Sequence, residues 1–249
     1  MKKYYFIIFL FIFLLIFYYY KNKEYFCDIK EKRKNEIILK YNMMKFEKIK
    51  KYDLKCAVLI FGLHYKNNYQ NWYFGKININ YKYYINNIKN LFCCFSHVDY
   101  FLSTNKSEKT NELIKDYNAK EYNFNDLPRW EKILIGLKII EKNKNNYDII
   151  AITRFDIFFI MNLNNIDINK LNIISILEAK HLICDNFYLF PTKYLNNFIE
   201  IFENIKKYSN HNTLTHGLKN EFEKRFDLNY IKNENKKVQH LSSYQLHVF

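Results

Sequence analysis

Short apolar runs of strand length recur along this chain and alternate with segments of helical spacing, a pattern that restricts it to a mixed α/β fold. CAVLIF (Cys56 to Phe61) ends at Gly62 and has the continuous apolar character of a strand buried on both faces. VDYFLST (Val98 to Thr104), YDIIAIT (Tyr147 to Thr153) and ICDNFYLF (Ile183 to Phe190) read as strands too, with AKEYNF from Ala119 as a weaker one. A polar, aromatic stretch after Gly62 reads as a loop. Helices are expected over Ile79 to Phe95, Ser107 to Tyr117 and Thr192 to Tyr208. Another starts at Asp126-Leu127-Pro128, with Asp126 as capping acid, Pro128 in the first turn, and Trp130, Ile133, Leu134, Leu137 and Ile140 on its inner face. This order predicts one α/β domain with a mostly parallel sheet covered by helices. Ligands of such sheets bind beyond the carboxyl ends of the strands, where Gly62, Arg154 and Asp156 fall.

Ahead of this body lies Tyr4 to Tyr20, YYFIIFLFIFLLIFYYY, without a charge, a glycine or a proline. As a helix its roughly 17 residues span about 26 Å, close to a hydrocarbon core of about 30 Å. Tyrosines at both ends suit the membrane interface, and bulky Tyr20, Lys21 and Asn22 do not make a signal-peptidase site. The predicted organisation is a membrane anchor over residues 1–21, with a cleaved signal or a buried core helix as the alternatives, a charged stem over 22–55 and a folded domain over 56–249. Lysines flank the apolar run on both sides, so the positive-inside tendency selects no orientation; a lumenal body is expected if the chain enters a secretory pathway.

The formal net charge of +14, from Lys+Arg 39 against Asp+Glu 25, favours anionic partners: phosphates, nucleotides, nucleic acid or anionic lipid. The same chain is rich in Lys, Asn, Ile, Tyr and Phe, which A/T-rich codons encode, so background composition accounts for the basicity equally well. With only Gly 4, a glycine-rich phosphate cradle is excluded, and no GxGxxG, GxSxG or HExxH motif occurs. Cys27, Cys56, Cys93, Cys94 and Cys184 form no CxxC pair, and their odd number argues against a complete disulfide framework. Cys93 and Cys94 read as small buried hydrophobes.

Chemistry concentrates in YDIIAITRFDIFF. Its strand delivers Arg154 and Asp156 two residues apart, so both side chains could face one cleft, the Arg on a diphosphate and the Asp on a divalent cation. An ion pair at the strand edge is the plain alternative. His211 and His216, in NHNTLTHGLKNEF, are loop histidines or metal ligands, and His240 and His247 are weaker candidates. Trp72 and Tyr73 either stack on a base or sugar ring or anchor a loop. Asn105-Lys106-Ser107 fits a glycosylation acceptor if that face is lumenal.

The run of AVLIFG, VDYFLST, a helix near Trp130, YDIIAITRFD and ICDNFYLF resembles a set of small GT-A-type glycosyltransferases of polysaccharide pathways, found in bacteria and large DNA viruses. In them a strand-RxD element stands where the usual DxD nucleotide-sugar motif does. The resemblance covers roughly Cys56 to Tyr208. It implies a GT-A-like (Rossmann-like) domain, a nucleotide-sugar donor, a glycan or protein acceptor, and manganese or magnesium as a metal. Carried over, Gly62 lets backbone approach the nucleotide, Arg154 and Asp156 address the diphosphate, and Asp156 with His216 or His211 holds the metal. Asp185 and Asn186 line the acceptor side, with Asp185 as general base for an inverting transfer. Relatives often carry a basic residue soon after the first-strand Gly; here His64 or Lys66 is placed to substitute. A single acid in RxD makes the metal weakly bound or dispensable. An inactive scaffold of the same fold is the second reading. A basic nucleic-acid or anionic-lipid module is the third, and it lacks any recognition motif.

Overall fold

The computed structural model describes residues 49–71, 75–159, 161–175, 183–209, 214–231 and 238–239; the side chains of 68–71, 75–79, 83, 174–175, 183–185 and 238–239 lie outside that description. All fall within the compact unit Phe46–Phe249. Among the described residues no helix is long and apolar enough to cross a membrane; the Tyr4 to Tyr20 run lies outside them.

The domain is a mixed α/β fold on a mostly parallel sheet, as the element order implies. Its strands are β1 (Tyr52–Gly62), β4 (Phe95–Thr104), β5 (Glu121–Phe124), β6 (Ile149–Arg154), β8 (Leu171–Ser175), β9 (Ile183–Pro191) and β10 (Leu228–Ile231). They are ordered β10-β8-β9-β6-β1-β4-β5. Pairs β1–β4, β1–β6, β4–β5 and β8–β10 are parallel, whereas β9 runs antiparallel to both β6 and β8. Two small ribbons accompany the sheet: the hairpin β2 (Tyr65–Asn71) with β3 (Gly75–Asn80), and β7 (Phe158–Phe159) with β11 (Val238–Gln239).

β1 is apolar without alternation from Cys56 on because both its faces are covered. From Cys56 to Phe61 every residue is buried. On one face Ala57, Leu59, Phe61 and Phe101 pack with Ile133, Leu137 and Ile140 of helix α3 (Arg129–Glu141), and with Phe198 and Phe202 of α4 (Leu195–Glu203). Phe187 and Tyr188 alternate across β9. Phe187 meets Phe92 of α1 (Ile85–Phe92), ring centroids 6.5 Å apart, while Tyr188 meets Phe198 at 5.8 Å. The short helix α2 (Thr110–Tyr117) adds Leu113 and Tyr117 to the α1 side, and Asn118 ends it in a left-handed conformation that asparagine tolerates.

Several boundaries depart from expectation. β1 starts at Tyr52, inside the stretch read as stem. The loop after Gly62 contains the β2–β3 hairpin, and Ile79 and Asn80 close it instead of opening a helix. Pro128, not Asp126, flanks α3, and no side chain caps that helix. The segment from Thr192 breaks at Asn204 into α4 and α5 (Ile205–Tyr208), where the Glu200 carbonyl accepts from both Asn204 N at 3.1 Å and Asn204 Nδ2 at 3.0 Å. Cys93 is exposed, since it follows α1 in the turn; Cys94 is buried as expected, and both are free thiols, like Cys56.

Candidate functional site at the carboxyl edge of the sheet

Parallel pairing sets the ends of β4, β1 and β6 side by side: Gly62 is in register with Thr104, and Phe61 with Arg154. Gly62 has φ 105°, a conformation that disfavours any residue with a side chain, although a side-chain carbon there would meet nothing within 4 Å. Its carbonyl accepts from Thr104 Oγ1 at 2.6 Å. With that hydrogen committed, Thr104 Oγ1 accepts from His64 Nδ1 at 2.8 Å, so Nε2 is the nitrogen that accepts from Ser107 Oγ at 2.7 Å. The buried ring also packs against Phe155, centroids 5.8 Å apart. Burial, with the positive charge of Lys132 adding to it, pushes the His64 pKa down to about 4, so the ring is neutral at pH 7. His64 therefore braces the turn at Gly62 from within; both ring nitrogens expected to reach a donor are engaged inside the protein.

At the end of β6 the chain turns, burying Phe155 and directing its neighbours together. Arg154 grips Asp156 with two parallel hydrogen bonds, Nε to Oδ1 at 2.8 Å and Nη2 to Oδ2 at 2.6 Å. Its Nη1 donates to Asn186 Oδ1 at 3.3 Å, and Thr153 Oγ1 donates to the Asn186 carbonyl at 3.0 Å. Arg154 and Asp156 are 14% and 15% exposed, so this is a largely desolvated pair rather than a solvated surface one. The structure brings Arg154, Asp156 and Asn186 together beside the strand that ends in Gly62. Asp185 lies in β9 one residue before Asn186, its side chain outside the described residues.

These groups do not fit a metal site as they stand, since both Asp156 oxygens face a guanidinium. Among the described residues no three His, Cys, Asp or Glu side chains are arranged to hold a metal ion. His216 sits in a 3-10 turn, Leu214–Leu218, whose Leu218 packs into the core. His211, His240, His247, Trp72 and Tyr73 lie outside the described residues.

Sequence reasoning missed Lys132. It is buried on α3, and its ammonium donates to Asn105 Oδ1 at 2.6 Å, while Asn105 Nδ2 donates to Asp126 Oδ1. The glycosylation-type asparagine is thus committed to an internal bridge. A signal existed: Lys132, Gly136 and Ile140 recur every four residues, and all three are buried. The motif letters also divide. Tyr147 OH donates to Asp99 Oδ2 at 2.6 Å, and Lys120 Nζ donates to the same oxygen at 2.7 Å and to Tyr147 OH at 2.8 Å. Burial opposes ionisation of Asp99, but these two donors outweigh it and hold its carboxyl below the usual range. Asp148 Oδ2 accepts from Lys55 N at 2.9 Å. The YD pair therefore fastens strand beginnings, while the RFD residues occupy the opposite edge.

No family model and no curated protein matches the chain. Solved structures do resemble it, 202 chains in all, two of them as follows. One, assigned to the nucleotide-diphospho-sugar transferases, is from Desulfovibrio desulfuricans; it shares 11% identity over 71% of this chain and 79% of its own, with a TM-score of 0.49. The other is 4-diphosphocytidyl-2C-methyl-D-erythritol synthase from Anaerococcus prevotii, 11% identical over 74% of this chain and 89% of its own, with a TM-score of 0.50. The likeness to the synthase is one of fold.

Proposed function

We propose that this chain is a membrane-anchored glycosyltransferase that moves a sugar from a nucleotide-sugar donor to a hydroxyl of a glycan or protein acceptor. The observation that carries this reading is the meeting of Arg154, Asp156 and Asn186 beside the Gly62 turn, at the edge where mostly parallel sheets bind ligands. Likeness in fold to a synthase named for a diphosphocytidyl group supports a donor of the nucleotide-diphosphate class. In the transfer, the acceptor oxygen bonds to the anomeric carbon, the bond from that carbon to the diphosphate breaks, and the nucleotide leaves with the electron pair. The Arg154 guanidinium, oriented by Asp156, offsets charge developing on the leaving diphosphate. Asp185 takes the acceptor proton in an inverting transfer, and Asn186 holds the acceptor in place. The Tyr4 to Tyr20 run keeps the enzyme at a membrane, as a single-pass anchor.

One observation favours a second reading, a scaffold of the same fold without activity: both Asp156 oxygens are already engaged by Arg154. The melting temperature of the full chain in detergent, screened with UDP-, GDP- and CMP-sugars with and without manganese, separates the two. A ligand that binds only the native state raises apparent stability by mass action. The enzyme reading expects a rise with one nucleotide that Asp156→Asn removes. A folded protein that responds to no donor supports the scaffold.

A further inference from the structure

Lys132 is 6% exposed, and lysine is almost never buried unless paired. Among the described residues its one hydrogen-bond acceptor is Asn105 Oδ1, a neutral amide oxygen. The nearby carboxylate, Asp126, directs Oδ1 to Asn105 Nδ2 instead. An ammonium carries three donors and a full charge, so this arrangement leaves both under-compensated in a desolvated place. Burial pulls the Lys132 ammonium below its usual value; Asp126 opposes the pull and Arg129 adds to it.

A second polar group on the same face is short of partners. Ser103 is in register with Phe61 and follows Phe101 by two residues, which puts its side chain on the face covered by α3. Its Oγ is buried without a hydrogen-bond partner. Asn105 follows Thr104 directly at the Gly62–Thr104 end of the β1–β4 pair and holds Lys132 there, and a side-chain carbon built on Gly62 would meet nothing within 4 Å. The groups on this side are the Lys132 ammonium, the second amide hydrogen of Asn105 and, on the same face of the sheet, the Ser103 hydroxyl, with the Asp126 carboxylate beyond Asn105 as the opposing charge. Such a set suits an anion with several acceptor oxygens more than a planar or neutral ligand.

We propose that Lys132, positioned by Asn105, binds a phosphoryl group of the sugar-nucleotide donor at the end of β4, a contact separate from that of Arg154 at the end of β6. This rests on the glycosyltransferase reading. β1 lies between those strands, so their ends are about 10 Å apart. The two cations flank the Gly62 turn and take different parts of one diphosphate. Of the two residues expected to supply a basic contact after the first-strand glycine, His64 is neutral and enclosed and Lys66 is exposed; Lys132 adds one from α3.

Isothermal titration of the full chain in detergent with UDP, GDP, CDP, their nucleosides and inorganic pyrophosphate tests this. Lys132→Met should weaken the bound nucleoside diphosphate at least tenfold, leave the matching nucleoside within about twofold, and raise the melting temperature by removing an under-compensated charge. Lys132→Gln keeps a donor for Asn105, removes only the charge, and should show the same tenfold loss even if the methionine variant fails to fold. Equal diphosphate affinity in wild type and a folded variant overturns the role of Lys132 and leaves the glycosyltransferase reading standing. Pyrophosphate binding that depends on Lys132, with no nucleotide bound, keeps the phosphoryl site and overturns the donor. Absence of binding by any of these probes to wild type overturns both.

Discussion

Replacing Gly136 by alanine would place a methyl group 2.2 Å from Leu59 Cδ1, 2.6 Å from Cδ2 and 3.0 Å from Cγ. Helix propensity alone favours the change by about 1 kcal/mol, because glycine in a helix interior loses more backbone freedom than alanine. Packing opposes it. Leu59 is fully buried at the centre of β1, in register with Phe101 on one side and Ile152 on the other, and both neighbours are buried too. Neither Leu59 nor α3 has a free direction in which to yield, so overpacking should cost about 3 kcal/mol, the upper part of the usual range. The net loss is about 2 kcal/mol, which for a domain of this size lowers the melting temperature by roughly 4 to 8 °C. Urea denaturation of Gly136→Ala, Leu59→Ala and the double variant gives the coupling directly. The Leu59→Ala penalty should shrink by about 3 kcal/mol in the alanine-136 background, since the propensity gain is common to both arms and only the overpacking is relieved. A Gly136→Ala protein as stable as wild type, or a cycle without coupling, would refute the close approach of α3 to β1. Lys132 lies one turn before Gly136 on the same helix face, so a displaced α3 also displaces that ammonium.

Other outcomes follow from the same geometry. His64 has a folded pKa of about 4 against an ordinary 6.5, so the neutral ring contributes stability that is complete above pH 6.5 and is lost as pH falls toward 4. That contribution is about 3 kcal/mol, and urea midpoints at pH 7 and pH 4.5 should differ more in wild type than in His64→Gln; parallel shifts would show that His64 does not titrate as a buried ring. Asp156→Asn keeps one acceptor for Arg154 and should cost about 2 kcal/mol while removing donor turnover; a protein that unfolds outright would mark the pair as a structural clasp. Tyr147→Phe removes a donor to Asp99 and an acceptor of Lys120, and chemical denaturation should report a loss of about 1 to 2 kcal/mol. Asp185→Asn should leave donor affinity unchanged and slow transfer at least tenfold in a radiolabelled-sugar assay; unaltered transfer would remove Asp185 from the chemistry.

The strands were legible because burial on both faces demands an uninterrupted apolar run, as in AVLIF and IIAIT, and Gly62 and Arg154 stand where those runs stop. The β2–β3 hairpin was not legible: Tyr65–Asn71 is mostly polar and lacks the alternation that marks a half-buried strand. The break at Asn204 was hidden for another reason, since apolar spacing continues through it while the Asn204 side chain joins its own backbone N–H on the Glu200 carbonyl. Spacing within a single segment thus determined which residues reach the carboxyl edge, including Arg154 and Asp156 as neighbours. Partnership across segments was decided only by the fold. His64 is enclosed by residues 40 and 43 positions away, and Lys132 is held by a partner 27 positions away. Local sequence records a side chain's own chemistry; whether a charge is solvated, paired or left wanting depends on what distant strands and helices bring against it.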